Sequence, residues 1–243
     1  MKPLKGIFIS DIHFPENIRL QPVFDYIKDY KPDTIIIGGD VIDAKELHGV
    51  ESMPAKDFKM KWYERDCRYL KDFFLDLKKI SSAKLVFLEG NHEQRYDRLA
   101  RKYPDAFKRT INLKRDCGTG IKWIEYGTYK SYYRLGDTVF MHGTVYPDNH
   151  AKKYALDHTP LKCVYGHLHH FQAYTTKRAF ASSGPRYAIT PGCLCTITPE
   201  WKRGVPHQWL HGFLSFVIVN GRMIPTVHQI EQGRFYANNK LYC

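Results

Sequence analysis

Five short clusters of Asp, Asn and His punctuate the first two-thirds of this chain, and each closes an apolar run. IFIS leads into Asp11-Ile-His13, TIIIGG into Asp40 with Asp43 three residues on, and KLVFLEG into Asn91-His92. DTVFM leads into His142-Gly143, and KCVYG into His167-Leu-His169. Setting His92 and Asp43 aside, the inventory is two carboxylates, one amide and four imidazoles. Mixed oxygen and nitrogen donors suit first-row metals and suit calcium or a thiolate-selected metal less well. Two divalent cations are therefore the expected cofactors, manganese first, with iron, zinc or nickel as alternatives. Two such cations roughly 3.5–4 Å apart can share a bridging carboxylate and lower the pKa of a bridging water. The resulting hydroxide attacks phosphorus in line while the metals neutralise charge on the phosphoryl oxygens.

Taken singly, these residues need no chemistry. An Asp after a strand commonly serves a turn or caps a helix, and Asn91 could cap the helix that follows it. That reading must explain five strand ends separately, whereas one dinuclear site explains them together. Glycine also flanks four of the five clusters, as close backbone approach and unusual dihedrals require.

The elements behind the clusters alternate in type. KGIFIS, TIIIGG and KLVFLEG read as strands. PVFDYIKDY, residues 55–80 and HEQRYDRLARKY read as helices, with Tyr69, Leu70, Phe73, Phe74, Leu77 and Ile80 sharing one face of the second. The β-α-β-α-β order argues for an α/β fold with a parallel or mixed sheet covered by helices, whose functional crevice lies at the carboxyl ends of the strands. From Trp123 onward strands predominate, with a hairpin signal at Asn220-Gly221. These are expected to form a second, more antiparallel sheet packed on the first.

A chain of 243 residues suits a single domain spanning 1–243. No run approaches the roughly 18 apolar residues of a membrane span, and no signal-peptide h-region follows Met1. The six cysteines form no CxxC pair, so reduced thiols and a cytoplasmic location are expected. Cys193-Leu-Cys195 is weak evidence for a metal site. The formal charge of +12 makes a polyanion a plausible partner.

The five motifs, DxH, GD, GNH, HG and GHxH in that order, resemble those of the calcineurin-like metallophosphoesterases. The wording EGNHEQRYDRL is also similar to small phosphoesterases of bacteriophage genomes. The resemblance implies a two-sheet sandwich flanked by helices, with Asp11, His13 and His169 holding one metal. It implies Asn91, His142 and His167 at the other, with Asp40 bridging. His92 would then contact the phosphate or protonate the leaving oxygen, oriented by Asp43. No motif is missing, which argues against a catalytically inactive scaffold.

The protein phosphatases of that superfamily carry arginines where this chain has Ala44 and Glu89. A monoester dianion wants such a clamp more than a diester does. The expected activity is thus a phosphodiesterase or nuclease acting on nucleic acid or nucleotides, with a small-molecule phosphomonoesterase as the alternative. Arg95, Arg98 and Arg101 recur at three-residue steps after His92, so they share a helix face that could follow a phosphate backbone. Residues 196–212, with Trp201, Trp209, Pro199, Pro206, His207 and His211, form a loop that could cap the site or be pinned to the core. Oligomeric state has no signature.

Overall fold

Strands β1 (Leu4–Ile9), β2 (Thr34–Ile37) and β3 (Lys84–Leu88) are short apolar runs buried on both faces. Parallel strands covered on both sides require such runs. In this computed structural model, which describes residues 2–128, 130–144, 148–158, 161–176, 185–199, 204 and 207–243, they pair in parallel with aligned ends. Ile9 lies opposite Ile37, and Ile37 opposite Phe87. β4 (Lys122–Ile124) extends the sheet beside β3. Helices α1 (Gln21–Tyr30), α2 (Met60–Ile80) and α3 (Asn91–Lys102) provide the connections. Short turns α4 (Pro104–Phe107) and α5 (Leu113–Cys117) lead back to β4.

The second sheet is ordered β5 (Tyr133–Leu135), β6 (Thr138–Met141), β7 (Lys162–Tyr165), β9 (Arg186–Pro191), β8 (Phe171–Thr176). Its centre, β6-β7-β9, is parallel, and only the edges are antiparallel. The second sheet is thus only slightly the more antiparallel of the two, with two of its four pairings antiparallel against two of five in the first. Two of the strands expected in it, β10 (Gly212–Val219) and β11 (Arg222–Gln229), form the anticipated hairpin but join the edge of the first sheet beside β1. A hairpin signal fixes the turn and the register, and it carries no information about which sheet edge the ribbon will occupy. A small hairpin, β12 (Phe235–Ala237) and β13 (Lys240–Tyr242), follows.

Strand alternation divides the core into layers. Ile7, Ile9, Ile35, Ile37, Leu85 and Phe87 face the helices, packing with Leu70, Phe73, Phe74 and Leu77 of α2. Phe8, Ile36, Val86 and Leu88 face the other way and meet Phe140, Val164 and Ile189 of the second sheet. Beyond that sheet, Tyr154 and Ala155 pack on Val139, Cys163 and Tyr165, following a short helix α6 (His150–Lys153). This is a two-sheet sandwich flanked by helices, as the motifs implied. Removing one such fully buried ring, as in Phe74→Ala, costs about 3–5 kcal/mol. Among the described residues no helix is long and apolar enough to cross a membrane.

Candidate metal centre

The aligned ends of β1, β2 and β3 and of β6 and β7 bring all five clusters to one rim of the sandwich. Asp11 and Asp40 are buried there, as are His13, His142 and His169. No Lys or Arg bond to either carboxylate is seen among the described residues. Asp11 accepts from the His167 backbone N–H at 2.9 Å and lies 3.5 Å from His169 Nε2. Asp40 accepts from the His92 N–H at 2.9 Å and lies 3.2 Å from His142 Nε2 and 3.7 Å from His13 Nε2.

The backbone that presents these groups is held in an unusual conformation. Asp11, His13, Asp40, His167 and His169 all have positive φ, between 50° and 75°. Such residues cost of order 1–3 kcal/mol each and persist where the surroundings over-determine them. Here the loops lock one another: Asp11 N donates to Gly39 O, Ile12 and His13 N to Asp40 O, and Gly166 N to His142 O. Two glycines have a steric duty. A Cβ on Gly90 would lie 2.1 Å from Asp40 Oδ1, and one on Gly166 would lie 2.6 Å from Asp11 Oδ2.

Glu93, which sequence reasoning passed over, ties two of these loops together. Its buried carboxylate accepts from the backbone N–H groups of Asp40 (2.9 Å), Val41 (2.7 Å), Ile42 (3.1 Å) and Gly90 (2.9 Å). The only sequence signal was an acidic residue in the first turn of a helix, which reads as a cap.

Whether metal ions fit can be judged from the lone pairs. His142 Nδ1 faces Gly38 O at 2.7 Å and donates to it, so Nε2 is the bare nitrogen. That nitrogen faces Asn91 Oδ1 at 2.9 Å, His167 Nδ1 at 3.2 Å and Asp40 Oδ2 at 3.2 Å. Acceptors converging on one point need a proton or a metal cation between them. On the other side of Asp40, its carboxylate, Asp11 and His13 offer donor atoms within 4.8 Å of one another. His13 Nε2 there is buried with no hydrogen-bond partner. Two clusters sharing Asp40 fit two first-row ions.

The electrostatics agree. Burial opposes charge on His142, yet Asp40 and Asp11 outweigh it and raise its pKa to about 9. Burial likewise opposes charge on His169, but Asp11 and Cys195 lift it to about 10. His167 moves the other way, to about 4, through burial and the neighbouring His142. Asp11 and Asp40 stay below the usual carboxylate range despite burial, because imidazoles surround them. Buried carboxylates that draw protons onto adjacent imidazoles create the potential a cation would occupy instead.

His92 stands at the mouth, partly exposed. Its Nδ1 lies 2.5 Å from the Asp43 carbonyl oxygen and 3.3 Å from the Asp43 carboxylate, and its Nε2 lies 3.8 Å from Asp40 Oδ2. Burial opposes its charge, and Asp40 and Asp43 raise its pKa nonetheless. Asp43 is lowered, because hydrogen bonds from His13 and His92 outweigh its desolvation.

The three arginines do not make a free cationic track. Arg95 turns inward: Nη1 donates to the carbonyls of Asp43 (2.8 Å) and Ala44 (3.2 Å), and Nη2 is 3.2 Å from His92 Nε2. Arg98 donates through Nε to Glu51 at 2.6 Å, and Arg101 is exposed on the next turn. In the loop after β9, Cys195 Sγ lies 3.5 Å from His169 Nδ1, and the Trp209 ring packs 4.2 Å from that of His169. Trp201 and Pro206 lie outside the described residues.

The two-sheet sandwich delivers carboxylate and imidazole donors from several strand ends to one rim, an arrangement suited to holding metal ions. Residues 4–190 match the calcineurin-like phosphoesterases, and the chain belongs to that family. Vps29 from Chaetomium thermophilum is similar in fold, with TM-score 0.50 and 13% identity, covering 94% of this chain and 92% of that one. Also similar are a zinc complex of Vps29 from Entamoeba histolytica (TM-score 0.47, 12% identity, 98% and 96% covered) and a predicted phosphoesterase from Streptococcus pneumoniae (0.36, 16%, 93% and 99%). Among curated proteins none matches the sequence.

Proposed function

We propose that this protein is a phosphodiesterase that uses two divalent metal ions, manganese foremost, to hydrolyse phosphodiester bonds in nucleotides or nucleic acid. Asp11, His13 and His169 would hold one ion, Asn91, His142 and His167 the other, and Asp40 both. Bound there, the ions supply an activated water and neutralise charge on the phosphoryl oxygens. The observation that carries the reading is the placement of His92, whose Nε2 faces the shared carboxylate of Asp40 while Nδ1 is held by Asp43.

The protein's own groups divide the remaining work. With Nδ1 donating to the Asp43 carbonyl, His92 Nε2 faces the Arg95 donor, and on protonation it would serve a leaving oxygen as a general acid near neutral pH. Asp43 fixes the ring by holding Nδ1. Arg95, beside the same Nε2, supplies a guanidinium that orients a phosphoryl oxygen. Preference for a diester is supported by Ala44 and Glu89, which leave the site without the paired arginine clamp that favours a dianionic monoester. The charge of +12 favours a polyanionic substrate. Arg95 itself is the observation that favours a phosphomonoesterase as second reading.

The test is to strip the protein with chelator, restore Mn²⁺, and compare hydrolysis of bis-p-nitrophenyl phosphate with that of p-nitrophenyl phosphate. Faster diester hydrolysis is expected, with cleavage of labelled DNA or RNA to follow. Faster monoester hydrolysis would replace the proposal by the second reading. No hydrolysis of either with both metals bound would remove both.

A further inference from the structure

Beside His142 lies a cleft of about 230 Å³ that the metal chemistry does not use. Tyr126, Tyr132 and Tyr154 line it together with Thr128, Ser131 and Thr144, the Thr128 and Ser131 hydroxyls lying 3.2 Å apart and Ser131 Oγ donating to Glu125 O. Among the described residues its lining includes no Lys, Arg, Asp or Glu, which is notable in a chain of charge +12. A second phosphate would find no countercharge there. Aromatic walls without charged groups suit an uncharged heteroaromatic ring. The volume is below the roughly 300 Å³ at which pockets for drug-sized molecules begin, so it suits one ring system rather than a peptide or glycan.

The wall nearest the metals is firmly built. Tyr126 N donates to Glu89 Oε2 at 2.9 Å, and Gln94 Nε2 donates to Tyr126 O at 3.3 Å. Tyr126 Oη donates to Gly143 O at 3.1 Å, and its ring stands 5.6 Å from that of His142 at 77°. Glu89 is the residue at a position where the protein phosphatases have an arginine. Here that position anchors an aromatic wall instead of a phosphate clamp. Tyr154 Oη accepts from Thr144 N at 2.7 Å, and Tyr132 is 45% exposed at the rim.

We infer that this cleft is a nucleobase subsite, holding the base of the nucleotide whose phosphate lies at the metal pair. The inference rests on the phosphoester reading of that centre. Stacking of one base on an aromatic wall is worth roughly five- to a hundredfold in affinity.

The test is calorimetric titration of manganese-loaded protein with adenosine 5′-monophosphate and with ribose 5-phosphate. At least fivefold tighter binding of the adenosine compound is expected. Tyr132→Ala should abolish most of that difference and leave ribose 5-phosphate binding unchanged. Equal affinity of the two compounds for the wild type would overturn the subsite while leaving the phosphate site standing. Discrimination that survives both Tyr132→Ala and Tyr126→Ala would also overturn it. Failure of both compounds to bind with metal present would overturn the subsite and the phosphoester reading together.

Discussion

The Asp43 carboxylate is shared between two imidazoles, lying 3.2 Å from Nδ1 of His13 and 3.3 Å from Nδ1 of His92. One of these rings faces the buried carboxylates and the other faces the mouth of the site. On the proposed reading Asp43 would couple metal binding to proton transfer, while its backbone carbonyl, 2.5 Å from His92 Nδ1, holds the outer ring independently.

This division separates two variants. His92→Ala is expected to lower kcat by about 10²–10⁴-fold, the usual contribution of a positioned acid or base, with metal content nearly unchanged. Asp43→Asn should lower kcat less, because the carbonyl hold on His92 remains, and should weaken metal binding at the His13 side. Elemental analysis beside steady-state kinetics reads both, and loss of both metals from His92→Ala would contradict the assignment.

Arg95 and Arg98 should behave differently although they share a helix face. Arg95→Ala removes the group 3.2 Å from His92 Nε2 and should slow hydrolysis of a small diester at least tenfold. Arg98→Ala breaks an exposed pair with Glu51, worth about 0–1 kcal/mol, and should leave that rate within twofold. Equal effects of the two on a small substrate would return Arg98 to the site.

Gly90→Ala tests the crowding around Asp40. The added methyl would meet Asp40 Oδ1 at 2.1 Å and Asp40 N at 2.4 Å, and overpacking typically costs about 1–3 kcal/mol. A lower Tm together with reduced metal content is expected. A variant that melts and binds metal like the wild type would show that this loop has room to move.

Removing metal should lower stability, because two buried carboxylates lose their countercharge. Ligand saturation at a hundredfold over Kd stabilises by about 2.7 kcal/mol. Melting curves with and without chelator should separate accordingly, and the separation should shrink in Asp40→Asn.

Away from the site, His228 sets a pH dependence of its own. It is buried against Phe213 and Tyr26 with Nε2 2.8 Å from Ser215 Oγ, and burial lowers its pKa to about 4. Below its unfolded value of about 6.5 the unfolded chain takes up a proton that the folded chain refuses until about pH 4. Stability from this group is thus full above about pH 6.5 and is lost as pH falls towards 4. His228→Gln should flatten the fall in Tm over that window relative to the wild type.

The candidate ligands were legible in the sequence because each needed only local information: an apolar run, then Asp, Asn or His beside glycine. The parallel order of β1, β2 and β3 followed from the intervening helices. What escaped notice depended on partners distant along the chain. Glu93 reads as a helix cap until the loop after β2 is folded onto it. Arg98 reads as a free cation until Glu51, 47 residues away, closes on it. Tyr126 has no motif, and its place beside His142 is set by Glu89 and Gln94. The β10–β11 ribbon carried a clear turn signal, yet its choice of sheet edge lies in side-chain packing that no local pattern encodes.

The Glu93 carboxylate gathers four amide protons from two loops that ordinary expectation would leave open to solvent. Those amides, of Asp40, Val41, Ile42 and Gly90, should therefore exchange with deuterium as slowly as the central strands, opening only in large cooperative events. Connecting segments are usually the first part of a domain to breathe. Slow exchange there would make these loops kinetically part of the core, and the rim that carries the candidate ligands as long-lived as the sheet beneath it.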